Sequence, residues 1–378
     1  MSGNADLRWM GQAVELAQRS IGLASPNPPV GCMIVKDGQS VGQGWHEYAA
    51  RDHAEVRALG EAGNRAQGAE VYVTLEPCAH FGRTPPCISA LISAGVRRVV
   101  VARVDPNPGV SGSGIGALRA AGIEVETGFL HEEAGRLIEP FACKITTGTP
   151  LVVGKAGMSL DGRIAPAGGR PDSITSAEAR EFSQQLRLQL DVLLVGVGTI
   201  LADDPLLTYR GSLRKAPPLA VAVLDSFLRT PPAARFLAVE PGREVFIFSR
   251  ADAPVERRLG LEARGAGVVP VTAGPGGLDL GQVLGELGSR NKLGVLVEGG
   301  SGVHWSFFSA NLMDKFYFIV APLILGGRDS IPVAGGAGYP SAAAAPRFRI
   351  CRTIPAGPDL ILETYPQYSR SILSPWIS

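Results

Sequence analysis

The chain has 378 residues, of which 45% are hydrophobic and 19% charged, with 36 Lys plus Arg against 35 Asp plus Glu. That length predicts two domains, and the charge balance gives no electrostatic footing for a nucleic-acid or membrane-surface partner. The five cysteines, Cys32, Cys78, Cys87, Cys143 and Cys351, are too sparse for a disulfide framework. A reducing, cytoplasmic setting is expected, since no signal-peptide pattern opens the chain and no apolar run is long enough to span a bilayer.

Asp6 is placed to cap a first helix, in which Leu7, Met10, Val14 and Ala17 share one face. Ser25-Pro-Asn-Pro-Pro29 breaks the chain. Val30 to Val35 reads as a buried strand, Asp37-Gly38 as a hairpin turn and Val41 to His46 as the returning strand. His53 to Leu59 reads as a helix and Val71 to Leu75 as a strand. Pro86 suits the first position of a helix that runs through Ile88, Leu91 and Ile92 to a Gly95 cap. Arg98 to Ala102 and Gly122 to Glu126 are further strands, so a three-layer α/β domain is expected. Phe141 to Pro150 reads as the crossing into a second α/β domain. There Leu151 to Lys155 and Val192 to Gly196 are strands. Thr175-Ser-Ala-Glu178 reads as a capping box ahead of a helix carrying Ala179, Phe182, Leu186 and Leu190. More strands are expected at 219–223, 244–248, 268–271, 294–297 and 316–321, with no internal repeat.

Chemistry concentrates in His53-Ala-Glu55 and Thr74-Leu-Glu-Pro-Cys78…Pro-Cys87. One histidine and two cysteines suit a zinc ion with its fourth position open, and a glutamate beside them suits proton transfer. Cys78 and Cys87 fall near helix starts, where the dipole favours the thiolate that binds metal. His-x-Glu with Pro-Cys is the pattern of zinc deaminases of bases and nucleotides, but eight residues separate the two cysteines here instead of the usual two. The competing reading is a structural zinc with His80 as fourth ligand. Cys32, Cys143 and Cys351 read as packing residues, and His131 as a solvated helix residue.

Together with Pro26-Asn-Pro, Val30-Gly-Cys, Gly82-Arg-Thr-Pro-Pro-Cys87 and Asp105-Pro-Asn-Pro108, these motifs resemble the deaminase half of the bifunctional riboflavin-biosynthesis deaminase/reductase family. In that family the long spacer is the usual form. The resemblance implies His53, Cys78 and Cys87 as zinc ligands, Glu55 as the catalytic proton carrier, and a substrate pocket lined by Asn27, His46, His80, Arg83, Asp105 and Asn107. Taken alone, Asn27 and Asn107 are ordinary turn residues, while Arg83 suits a phosphate.

The second half carries weaker signals. Val195 to Pro205 and Val297-Glu-Gly-Gly-Ser-Gly302 are glycine-rich and follow strands, yet neither is a dinucleotide fingerprint. Gly112-Ser-Gly-Ile-Gly116 is discounted. Lys155 to Ala165, Ile174-Thr-Ser, Gly196 to Thr208, Asp225-Ser and Val297-Glu-Gly-Gly resemble the family's reductase half. That implies NADPH met by Gly157, Thr199, Asp203, Ser226 and the loop Gly300, Ser301, Gly302, Val303, His304, Trp305 and Ser306. It implies substrate met by Lys155, Arg187, Leu207, Arg210 and Glu298; taken alone, Arg187 is a solvated helix face. Pro171 and Ser173 depart from the family's serine and tryptophan.

The resemblance therefore implies a cytidine-deaminase-like domain over 1–147, a dihydrofolate-reductase-like domain over 148–368 and an unexplained tail over 369–378. The implied reaction is deamination of a diaminopyrimidinone ribosyl phosphate, then NADPH-dependent reduction of ribosyl to ribityl, in a homo-oligomer. The alternatives are a deaminase for another nucleotide with a silent second half, and a zinc-stabilised binding protein.

Overall fold

The computed structural model describes residues 2–168, 173–238 and 242–368. Pro171 and the tail 369–378 lie outside them. The chain divides into two compact units, Met1–Thr147 and Gly148–Ser378.

The first unit runs α1 (Ser2–Gln18), β1 (Gly31–Lys36), β2 (Gln39–Trp45), α2 (Ala54–Ala62), β3 (Glu70–Val73), α3 (Cys87–Ser93), β4 (Arg98–Val101), α4 (Ser113–Ala120), β5 (Glu124–Thr127), α5 (His131–Leu137) and α6 (Glu139–Thr147). Its five strands are ordered β2-β1-β3-β4-β5, with β3, β4 and β5 parallel and β1 antiparallel to both its neighbours. The apolar strand runs are explained by burial on both faces. Cys32, Ile34, Val71, Val73, Val99 and Val101 pack under α2, α3 and α4. Met33, Val35, Tyr72 and Val100 pack under α1 and α5. The three-layer expectation holds. Helix α2 lies close enough to β2 that a Cβ on Gly42 or Gly44 would come within 2.3 Å of the Ala58 or Ala54 carbonyl. Those two glycines let α2 lie directly on β2.

Several local expectations change. Asp6 does not cap α1 but lies inside it, buried, accepting from Tyr72 Oη at 2.7 Å and Arg98 Nη1 at 2.9 Å. Pro86 is the cap position of α3, and Cys87 its first residue. The discounted Gly112 stretch opens α4. Residues 141–147 are helical, part of α6, so the crossing is shorter than expected.

The second unit runs β6 (Leu151–Ser159), β7 (Arg163–Ala165), α7 (Ala177–Gln189), β8 (Val192–Gly196), α8 (Val197–Asp203), β9 (Ala220–Leu224), β10 (Val245–Arg250), α9 (Val255–Glu262), β11 (Gly267–Val271), β12 (Ala273–Gly274), β13 (Gly277–Leu278), α10 (Leu280–Ser289), β14 (Gly294–Val297), α11 (Ser301–Ser309), β15 (Lys315–Ala321), β16 (Ile331–Pro332), β17 (Phe348–Ala356) and β18 (Asp359–Pro366). Nine strands form one sheet, β11-β10-β9-β8-β14-β6-β15-β18-β17, parallel as far as β15 and antiparallel across β18 and β17. The closing hairpin β17–β18 was not legible as two strands. The Thr175 capping box is not formed. Ser176 caps α7 instead, its Oγ accepting from Ala179 N at 3.2 Å. The glycine-rich stretch after β8 folds into α8.

Candidate functional site

In the first unit, His53 is the N-cap of α2, Glu55 lies in that helix's first turn, and Cys87 opens α3. Cys78 follows β3 in the intervening loop. His53 Nδ1 lies 3.1 Å from Cys87 Sγ and 3.5 Å from Cys78 Sγ, and all three donor atoms lie within 4.8 Å of one another. Tetrahedral zinc, with bonds of about 2.1 Å to nitrogen and about 2.3 Å to sulfur, needs such ligands roughly 3.6–3.8 Å apart. The donor set fits the ion. The hydrogen bond with Cys87, and next that with His53, lowers the Cys78 pKa, and Cys87 rises in consequence. His80 is exposed and outside this cluster, so the closed four-ligand reading loses its fourth ligand.

Glu55 is 3% exposed. Burial raises its pKa, and the neighbouring Cys78 thiolate adds to the effect. A carboxyl tuned upward beside a metal-ligand set is suited to taking and returning protons near neutral pH.

The pocket in front of these groups is lined by Asn27, His46, His80, Arg83 and Asp105, and also by Arg51, Glu76 and Phe141. His46 Nδ1 meets the Asp52 carbonyl at 3.0 Å and its Nε2 meets Asn27 Nδ2 at 3.0 Å. Those partners assign the tautomer: Nδ1–H donates and Nε2 accepts. Burial lowers the His46 pKa, so it stays neutral. Asn107 is not among these lining residues; its Oδ1 accepts from Gly109 N at 3.0 Å and closes its own turn.

Glu76 was passed over in the sequence. Its buried carboxylate accepts from four backbone N–H groups: Asp105 at 3.0 Å, Gly112 at 2.9 Å, Gly114 at 2.8 Å and Ile115 at 3.2 Å. Gly112 brings no side chain to cap α4, so Glu76 satisfies the orphan donors at that helix start. It thereby ties Asp105 to the segment carrying Cys78. The only signal in the sequence was a carboxylate next to Pro77 in an otherwise apolar strand end.

In the second unit, parallel packing puts the carboxyl ends of β9, β8 and β14 on one edge, where ligands of open α/β sheets bind. Ser226, Thr199 and Gly300 follow those three ends. Val297 pairs with Gly154 across β14 and β6, which sets Glu298 beside Lys155. The Glu298 carboxylate receives Arg187 Nε at 2.9 Å and Nη2 at 2.8 Å, with Lys155 Nζ at 3.4 Å. Burial would raise the Glu298 pKa, but the Lys155 and Arg187 charges outweigh it and hold it at about 2. Arg187 also donates to the Thr208 carbonyl at 2.6 Å. It is therefore no solvated helix residue, and only part of its fork is open to a phosphate.

Other expected residues divide. Leu207 is buried at φ 52°, while Arg210 is exposed, its backbone N–H donating to Gln184 Oε1 at 2.8 Å. Asp203 ends α8, exposed, its pKa raised by partial burial. Gly157 lies against Thr175, since a Cβ there would meet its Cγ2 at 2.7 Å. His304 is 1% exposed, its Nδ1 meets the Val333 carbonyl at 2.9 Å, its ring stacks edge-on with Phe316, and its buried Nε2 has no protein partner. Val303 packs on Gly196 and Gly299, and Trp305 on Gly336 and Tyr339. Ser306 Oγ donates to the Gly302 carbonyl at 3.0 Å. At the start of α11 no side chain caps the helix, and the buried Ser301 Oγ has no protein partner. An uncapped helix start after a Gly-Gly turn, with an orphaned hydroxyl, fits a pyrophosphate.

Comparison with known proteins finds relatives along both units. The model of the cytidine and deoxycytidylate deaminase zinc-binding region matches residues 4–103, and that of the RibD C-terminal domain matches 150–362. The riboflavin biosynthesis protein RibD of Bacillus amyloliquefaciens is 40% identical over 359 residues, covering 95% of this chain and 96% of its own. The Escherichia coli (strain K12) protein is 40% identical over 371 residues, covering 94% and 98%. The Acinetobacter baumannii RibD structure superposes with a TM-score of 0.87 at 37% identity, over 97% of this chain and all of that one. A Thermotoga maritima structure, described as a diaminohydroxyphosphoribosylaminopyrimidine deaminase/5-amino-6-(5-phosphoribosylamino)uracil reductase, gives 0.84 at 30% identity with the same coverage. The expected fold classes stand: a cytidine-deaminase-like first unit, and a dihydrofolate-reductase-like second unit of the RibD C-terminal type. This chain belongs to the RibD family, the bifunctional deaminase–reductases of riboflavin biosynthesis.

Proposed function

We propose that the first unit deaminates the diaminopyrimidinone ribosyl phosphate through His53, Cys78, Cys87 and Glu55, and that the second reduces its ribosyl group through Lys155, Arg187 and Glu298. The observation that carries the first half is a buried carboxyl, Glu55, beside three converging soft donors. Zinc, when bound, supplies a Lewis acid that makes water nucleophilic near neutral pH. Glu55 takes a proton from the attacking water and returns it to the departing ammonia. Neutral His46 holds Asn27, and Glu76 holds the Asp105 backbone, so amide and carboxylate face the pyrimidine edge from fixed positions. Arg83 meets the phosphate at the mouth.

In the second unit, NADPH supplies the hydride for the former anomeric carbon. Ionised Glu298 fixes Lys155 and Arg187 as two cations above the strand ends. Thr199, Ser226 and the start of α11 receive the cofactor. The partner is a small molecule, without nucleic acid or membrane. Among the described residues no helix is long and apolar enough to cross a membrane. The family resemblance supports a cytoplasmic homo-oligomer.

The experiment supplies the diamino compound and follows ammonia release and NADPH absorbance together. Both signals are expected, ammonia first. Ammonia without NADPH oxidation would remove the assignment of the second unit, and NADPH oxidation without ammonia that of the first.

A further inference from the structure

Arg51 has no assigned role, yet it occupies a costly conformation. Its backbone sits at φ 67° and ψ −44°, and Asp52 N donates back to the Ala50 carbonyl at 2.8 Å. That is a γ-turn of the rare positive-φ hand, strained for any residue with a side chain. The turn is pinned on both sides. His46 Nδ1 holds the Asp52 carbonyl at 3.0 Å, and Tyr48 N donates to the Leu23 carbonyl at 3.0 Å. Glycine would adopt this φ freely, yet the position holds an arginine that lines the zinc-site pocket.

A second cation converges on the same short turn. The Arg83 guanidinium lies 4.1 Å over the Tyr48 ring, and its Nη1 meets the Tyr48 carbonyl at 3.4 Å. Arg51 and Arg83 are both exposed, at the open side of the pocket. The carboxylates Glu55 and Glu76 are buried on its inner wall, and Glu76 is saturated by backbone donors. The pocket thus has a cationic mouth and an acidic floor, the polarity wanted by a ligand with an amino-substituted ring at one end and a dianion at the other.

We propose that Arg51 and Arg83 form a two-arginine clamp on the substrate's phosphate, and that Arg51 determines specificity for the phosphorylated over the dephosphorylated pyrimidine riboside. This rests on the reading that the first unit deaminates a ribosyl phosphate. Two guanidinium forks can engage the phosphate oxygens from opposite sides, and the strained turn aims one of them.

The test uses the full zinc-loaded chain with Arg51→Gly, which relieves the backbone, and Arg51→Lys, which keeps a charge without the fork. Ammonia release is measured on the diamino riboside with and without its phosphate, together with zinc content. In Arg51→Gly the ratio of kcat/KM between the two substrates is expected to fall about tenfold or more, chiefly through KM for the phosphorylated one. Zinc should be retained, and Arg51→Lys should recover part of the ratio. An unchanged ratio in Arg51→Gly would overturn the clamp. So would loss of zinc, because the turn would then serve to place His53. A wild-type chain that deaminates neither compound would remove the parent reading along with the clamp. A wild-type phosphate preference that survives Arg51→Gly removes the clamp alone.

Discussion

The first unit draws its site from a short stretch of chain, His53 to Cys87, while the second draws Lys155, Arg187 and Glu298 from β6, α7 and the end of β14. In the first, ligand chemistry alone points to the site, because soft donors at helix starts have few other uses. In the second, ordinary charged residues become a site only when sheet register places Glu298 beside Lys155 and a helix delivers Arg187. A local site survives damage elsewhere and fails when one donor goes. A dispersed site depends on the fold that assembles it.

The largest effect should therefore come from the local site and stay there. Cys78→Ser or Cys87→Ser is expected to lose zinc and all deamination while NADPH oxidation on deaminated substrate continues. Glu55→Gln should keep the metal and lower deamination about a hundred- to ten-thousand-fold. Metal analysis with the two activity assays checks both. If the reductase falls in step in a chain that still melts cooperatively, the two sites are not separable.

Glu298→Gln should do the reverse, damaging structure and reduction together in the second unit. It leaves the half-buried Lys155 and Arg187 without a counter-charge, at about 3 kcal/mol. The sign with pH follows from the Glu298 pKa, held at about 2 against an ordinary 4.5. A depressed carboxyl stabilises the fold above its unfolded value and loses that as pH falls through its folded one. About 3 kcal/mol should disappear between pH 4.5 and 2. Chemical denaturation followed by reductase activity would show this slope in the parent chain and a flatter one in the variant. Equal slopes would mean the triad contributes no net stability.

Much of the first site was legible because its residues declare their chemistry. His53, Cys78, Cys87 and Glu55 stood out by residue type, with the family resemblance accounting for the long cysteine spacer, and the β1 run read as a buried strand. Asp6 misled because a carboxylate near a chain start reads as a cap, whereas here it answers Arg98 from a distant strand. Asn107 and His304 rest on a matching motif, which gives a residue's place but not its side chain's direction. Glu76 was passed over because its four partners are backbone N–H groups, which carry no sequence signature of their own.

Glu76→Gln sharpens the contrast from inside the local site. An amide can offer only one of its two atoms as an acceptor and turns a donor toward N–H groups that already donate, a mismatch of about 1–3 kcal/mol. Zinc should remain while KM for deamination rises about tenfold, and the change should be non-additive with Asp105→Ala if Glu76 acts by placing Asp105. A KM that stays put, or effects that simply add, would reduce Glu76 to a helix cap.

The smallest effect should come from Ser176→Ala, far from either reacting centre. Ser176 Oγ accepts from Ala179 N at 3.2 Å and donates to the Ala356 carbonyl at 3.0 Å, and its N–H donates to Asp359 Oδ2 at 2.7 Å. One side chain thus caps α7 and ties it to the β17–β18 hairpin. Losing the cap should lower the second unit's stability by about 1 kcal/mol. Because α7 also carries Arg187, reductase activity should decline at a lower denaturant concentration than in the parent, with deaminase activity and zinc unchanged at every point before global unfolding. If the dispersed site depends on its scaffold as argued, this remote hydroxyl shifts the reductase transition. If the transition stays where it was, Arg187 is held by Glu298 and Thr208 alone, and the second site is less dependent on α7 than its geometry implies.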